Sequence, residues 1–212
     1  MDALGKIRLE DYVEDVVAVA QQMWAPPIVC GHDLGGLLAL LTIARINPRA
    51  VICLAPLFPR SWNDNFRSPA PLVRFGAVPA LLWGRPLSPP PLTMSRDFLF
   101  NGVPAAAHAQ LHSRLQPDSG VVARALTREQ IPFLPGVDSC PVLVLGGDTD
   151  GMSPTTTLRW LAQHLHAEHR DYPGQGHWFF LGEQGKTCAA DLHRWLVRTL
   201  GETLLVPLEE EE

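Results

Sequence analysis

Residues 28–36 read Ile28-Val29-Cys30-Gly31-His32-Asp33-Leu34-Gly35-Gly36, and this stretch decides the fold. The apolar run Ile28 to Cys30 reads as a short strand, and it is broken by a glycine-rich turn. Leu37 to Ala44 follows as a nearly all-apolar segment, read as a buried helix. Strand, Gly-x-Asp-x-Gly, buried helix is the sequence form of a sharp, strained turn that lifts one side chain, here Asp33, over a helix amino terminus. The N–H groups exposed at such a terminus favour an anion. Gly31 and Gly35 are expected to leave room for strand and helix to pack closely.

Working outward, Val13, Val16, Val17, Ala20 and Met23 share one helical face over 9–23, with Asp11, Glu14 and Asp15 in the first turns. Pro26-Pro27 stops that helix. Ala50 to Leu54 and Pro141 to Leu145 are two more apolar strands, and unbroken apolar runs separated by helices indicate a parallel sheet covered on both faces. The stretch 55–137 differs: ten prolines fall between residues 54 and 104, and periodicity is poor until Ala105 to Leu115. It reads as an inserted helical lid. After Ser153-Pro154, a cap and first helical residue, Leu158, Leu161, Ala162 and Leu165 give a helix. His169 to Tyr172 is an edge strand, and a last helix spans about 185–200. The expected fold is α/β, a mainly parallel sheet with flanking helices. Its core is 1–54 and 138–207, its lid 55–137, and 208–212 an acidic tail.

Two further loops carry chemistry. Gly147-Asp148-Thr149-Asp150 follows the third strand directly, at the carboxyl edge where sites collect in open α/β sheets. Gly174-Gln175-Gly176-His177-Trp178 follows the next strand and puts a histidine on a tight loop at that same edge. The chain order is nucleophile, acid, base. In this order and setting the sequence resembles the α/β-hydrolase superfamily, and within it the small lid-bearing hydrolases whose turn reads Gly-His-Ser-x-Gly-Gly. The resemblance runs over about residues 9–200. It implies Asp33 as nucleophile, His177 as the base that activates water, and Asp150, at the family's spacing from Gly147 and Pro154, as the residue that orients the imidazole.

The sequence departs from that family in two ways. Asp33 stands where most relatives have serine; carboxylate nucleophiles in the superfamily attack carbon and form an alkyl-enzyme ester. Relatives of that kind usually carry tryptophan or arginine after the aspartate, where this chain has Leu34. Those that open epoxides use lid tyrosines, and the two tyrosines here, Tyr12 and Tyr172, lie outside the lid. Only eight residues precede the first helix, so the strands that normally come earlier, with their His-Gly oxyanion loop, are missing from the pattern. The Leu34 N–H is then the one oxyanion donor left, and a missing donor weakens acyl transfer by about 2.7–4 kcal/mol. The strand 28–30 is left without its usual neighbour on one side. An open apolar edge tends to be paired, so a homodimer or other self-association is expected there.

Composition excludes several classes. Hydrophobic residues are 46% and charged residues 18%, values for a globular protein and not a disordered one. Net charge is −5 and falls to −1 without Glu209 to Glu212, so no field draws nucleic acid or anionic lipid. No apolar run of spanning length is present, nor a basic-then-apolar start, and a cytoplasmic location is expected. Cys30, Cys53, Cys140 and Cys188 are irregularly spaced and read as reduced thiols, Cys30 and Cys53 as small hydrophobes. The cluster His164, His166, Glu168 and His169 lies at a helix end with side chains pointing apart, so no metal is expected, and no cofactor. His32, Trp62, Trp83 and Trp178 are candidates for contact with a small apolar substrate; Trp62 and Trp83 read first as lid core with pocket lining as the second reading, and His32 reads first as a structural hydrogen-bonder. The functional expectation is a hydrolase acting on a small ester, or on a carbon–halogen or carbon–oxygen bond. The alternative is a ligand-binding or interaction protein on a hydrolase scaffold that has lost its activity.

Overall fold

The apolar runs become one parallel four-stranded sheet, seen in a computed structural model that describes residues 3–57, 59–62, 80, 82–128, 131 and 140–201. Its strands are β1 (Ile28–His32), β2 (Ala50–Leu54), β5 (Val142–Gly147) and β6 (Glu168–Tyr172), in the order β1-β2-β5-β6. Cys30 pairs with Ile52, Val51 with Val142, and Leu145 with Arg170. Between β2 and β5 a short antiparallel pair, β3 (Pro86–Leu87) with β4 (Asp118–Ser119), is the second sheet.

The lack of polar alternation in β2 and β5 has a simple cause: both faces are covered. Val51, Cys53, Val142 and Val144 join one core cluster, with Leu37 and Leu40 of α2 (Leu34–Leu41), Ile43 of α3 (Ile43–Ile46), and Leu158 and Leu161 of α7 (Thr155–His164). Leu9, on α1 (Leu9–Ala20), completes that side. Ala50, Ile52, Leu143 and Leu145 face the other way, onto Tyr172, Phe179, and Cys188 and Trp195 of α8 (Gly182–Leu200). Each buried Leu, Ile or Phe side chain contributes about 1.5–3 kcal/mol of apolar transfer, so the two-sided core is what holds these strands together.

The insertion carries α4 (Leu92–Phe98), α5 (Ala105–His112) and α6 (Gly120–Arg128). It is not all peripheral: Val122 of α6 and Trp62 enter the first core cluster beside Leu9. Much of 58–81 and 129–139, and the acidic tail at 208–212, lie outside the described residues.

Several boundaries move. The first helix ends at Ala20, so Met23, assigned to its inward face, is half exposed. β1 continues through Gly31 and His32. The helix after the turn begins at Leu34 instead of Leu37 and stops at Leu41, before Thr42, whose hydroxyl bonds back to the Ala39 carbonyl at 2.9 Å. Such back-bonding competes with the helical ladder. Cys30 is exposed rather than packed as a small hydrophobe, on a strand that stands at the sheet edge among the described residues; Cys53 is fully buried. Gly35 is not the crowded glycine: a Cβ there meets nothing, whereas Gly31 faces the Gly35 carbonyl and Gly36 faces Pro56.

Candidate active site

In a parallel sheet all strands end on the same side, so β1, β5 and β6 deliver their following loops to one edge. Asp33 follows β1 at φ 55° and ψ −121°, a conformation that non-glycine residues rarely adopt. The neighbours enforce it. The Asp33 N–H donates to Leu54 O at 3.1 Å, and its carbonyl accepts from the N–H groups of Gly36 and Leu57, both at 3.0 Å. Gly31 is required because a Cβ there would lie 2.0 Å from the Gly35 oxygen. Asp33 thus stands at the amino end of α2.

Asp150 and His177 lie opposite. The His177 Nδ1–H donates to Asp150 Oδ2 at 2.9 Å, with both side chains fully buried. The other oxygen of Asp150 accepts from the backbone N–H groups of Met152 and Ser153, at 2.7 and 3.1 Å. That leaves His177 Nε2 aimed at Asp33 Oδ1, 3.6 Å away. Neither atom has a hydrogen-bond partner, although the Asp33 side chain is one-third exposed. Two unpartnered polar atoms facing each other just beyond hydrogen-bond distance can each turn to a reacting group or a water placed beside them.

The electrostatics follow from burial and charge. Burial raises Asp33, only partly offset by the positive His177 and the Leu34 N–H. Burial lowers His177, but the hydrogen bond to Asp150 and the charges of Asp33 and Asp150 outweigh it, and the net shift is upward. His32 donates from Nε2 to the His177 carbonyl at 3.2 Å. Burial, then the neighbouring His177, drive it down to about 3, so it is neutral and a poor rival as base.

The sequence candidates sort as follows. Asp33, Asp150, His177 and Leu34 come together. His32 packs its ring 4.6 Å from that of His177, and Trp178 lies edge-on to His32 at 6.4 Å and to Phe100 at 5.1 Å. Trp62 is not at this edge: it is buried in the core and donates its indole N–H to the Ile131 carbonyl at 3.0 Å. Trp83 is 66% exposed, so it is not enclosed in a binding wall. Glu168 is engaged by Trp195 and Arg198. The sequence reading passed over Phe100, Phe180 and Asn101, which frame the histidine loop. Asn101-Gly102 reads only as a turn, so no local signal marks its side chain.

The model of a family described as "Alpha/beta hydrolase family" matches residues 5–191. No curated protein matches the chain. Among solved structures, a monoacylglycerol lipase of Paleococcus ferrophilus superposes with a TM-score of 0.64 at 18% identity, over 92% of this chain and 77% of that one. Polyneuridine aldehyde esterase gives 0.61 at 16% identity, over 92% and 81%. A thermophilic esterase from Thermogutta terrifontis gives 0.58 at 17%, over 91% and 73%. Among the described residues, no helix is long and apolar enough to cross a membrane.

Proposed function

The chain belongs to the alpha/beta hydrolase family, and on that premise we propose that it is a hydrolase in which Asp33 is the nucleophile, His177 the base and Asp150 the residue that orients it. One observation carries this reading: Asp33 Oδ1 and His177 Nε2 face each other 3.6 Å apart, both unpartnered, with His177 held from behind by Asp150. No metal or cofactor is part of this proposal, and the substrate is small and fairly apolar.

The carboxylate attacks a saturated carbon, forming a C–O bond as the bond to the leaving group breaks and its electron pair departs with that group. A water then gives a proton to His177 Nε2, and its oxygen adds to the Asp33 carboxyl carbon. The tetrahedral oxyanion that results lies beside the Leu34 N–H, which already interacts with this carboxyl group. It collapses by expelling the alkoxide, which takes the proton back from His177, and the new carboxylic acid ionises. Burial of Asp33 supports this role, because a poorly solvated carboxylate is the more reactive one.

Carbon–halogen and activated carbon–oxygen bonds suit this chemistry best. Esters, the substrates named by the esterases that this fold resembles, would lean more heavily on the Leu34 N–H as an oxyanion donor. Epoxides fit least, since Tyr12 and Tyr172 are engaged with Asp118 and Asp191. The second reading, a binding or interaction protein without turnover, draws on β1, which has no strand on its outer side among the described residues.

The deciding experiment is intact-mass analysis of His177→Gln after exposure to activated esters, haloalkanes and epoxides. Without its base the protein should stall with an adduct on Asp33, whose mass names the substrate class. An adduct-free protein across the whole panel would favour the binding reading.

A further inference from the structure

We infer that Asn101 is a positioning residue whose side-chain amide clamps the loop bearing Asp150 to the loop bearing His177. Asn101 lies between α4 and α5, in the insertion and outside both loops. Its Nδ2 donates to the Thr149 carbonyl at 2.6 Å, and its Oδ1 accepts from the His177 N–H at 3.4 Å. One amide therefore touches the residue before the acid and the base itself.

The backbone around it is built for this contact. A Cβ on Gly176 would lie 1.9 Å from the Asn101 carbonyl oxygen, and one on Gly102 would lie 2.9 Å from the Gly176 nitrogen. A Cβ on Gly147 would lie 2.2 Å from the Gln175 oxygen. Three chain segments thus meet backbone to backbone, with glycine on each approach. Thr149 adds two bonds to the Gln175 carbonyl, from its N–H at 2.9 Å and its hydroxyl at 2.7 Å. Phe100, fully buried against Trp178, fixes the segment from the preceding position. The clamp sets the distance between Asp150 and His177, so a residue of the insertion holds the acid–base pair.

The proposal rests on the hydrolase reading for its catalytic meaning, but it can be tested without turnover. The probe is the imidazole of His177, followed by nuclear magnetic resonance as pH is varied in the full chain. The titratable groups facing it are Asp33, Asp150 and His32. In the native chain His177 should titrate above ordinary histidine. In Asn101→Ala, and in the similarly sized Asn101→Leu, the Asp150 hydrogen bond loosens and the midpoint should fall towards the ordinary value. With a substrate in hand, kcat should drop about 100-fold, the scale on which small misplacements act, and KM should hold.

A fall in the midpoint without any measurable turnover in the native chain would leave the clamp standing and remove the hydrolase reading. A folded variant with an unchanged His177 midpoint would overturn the clamp. Should both variants unfold, amide exchange in the native chain decides: an Asn101 side-chain amide exchanging as fast as a free one refutes the clamp, and a protected one supports it.

Discussion

Asp33 is held where few side chains rest, at φ 55° with its carboxyl group desolvated. Strain of this kind persists only when neighbours over-determine the backbone, and it costs about 1–3 kcal/mol per residue. Asp33→Gly should therefore unfold at higher denaturant, stabilised by about that amount, while forming no adduct. The gain should depend on pH. Burial raises the folded-state pKa of Asp33, so the native state holds this proton more tightly than the unfolded chain does. Its contribution is then favourable in acid and is lost as pH rises above the ordinary aspartate value of 3.8. The advantage of Asp33→Gly should widen from acid to neutral pH in urea titrations. Equal stability at both pH values would show that neither strain nor burial is felt there.

At the scale of elements, the turn between β1 and α2 makes opposite demands on its glycines. Gly31→Ala drives a methyl group into backbone on every side, with the Gly35 oxygen 2.0 Å and the Gly36 nitrogen 2.7 Å away, and should destabilise by about 3 kcal/mol or more. Gly35→Ala meets nothing within 4 Å and replaces a helix-weakening residue, so it should be neutral or stabilising by up to about 1 kcal/mol. Thermal unfolding of the pair checks this, and a destabilised Gly35→Ala would mean the helix start is tighter than described. The sequence pattern made the turn legible because its apolar strand, glycines and apolar helix are contiguous. It could not say which glycine is crowded, since that depends on Pro56 and on where the helix begins. Asp150 and His177 were legible because each lies just past a strand. Asn101 was not, because what makes it useful is a meeting of three segments far apart in the chain. Trp62 could be read as core or as pocket wall for the same reason, and Val122 of α6 stands beside it in the core cluster.

For the whole molecule, β1 raises the question of what lies beyond its outer side. Cys30, at its centre, is exposed, and such a strand is a template for another chain. We expect self-association through this edge, seen as a dimer mass by light scattering at micromolar concentration. Cys30→Lys, which places a charge on the edge, should return the monomer. A native chain of monomer mass would refute the pairing.

The same sheet has a consequence for how the protein is assembled. β1 and β2 are joined by a short crossover, and so are β5 and β6, but β2 and β5 meet only across everything from Ala55 to Pro141. Two local halves can form early, and their union waits on closing one long loop, the kind of non-local step that slows folding. The closure entropy grows only with the logarithm of length, about 0.6 kcal/mol for each doubling of a flexible loop. Lengthening the segment between the halves therefore adds little closure penalty, so long as Trp62 and Val122 keep their place in the core and Asn101 its two hydrogen bonds. What such change delays is the search by which Leu54 finds Leu145.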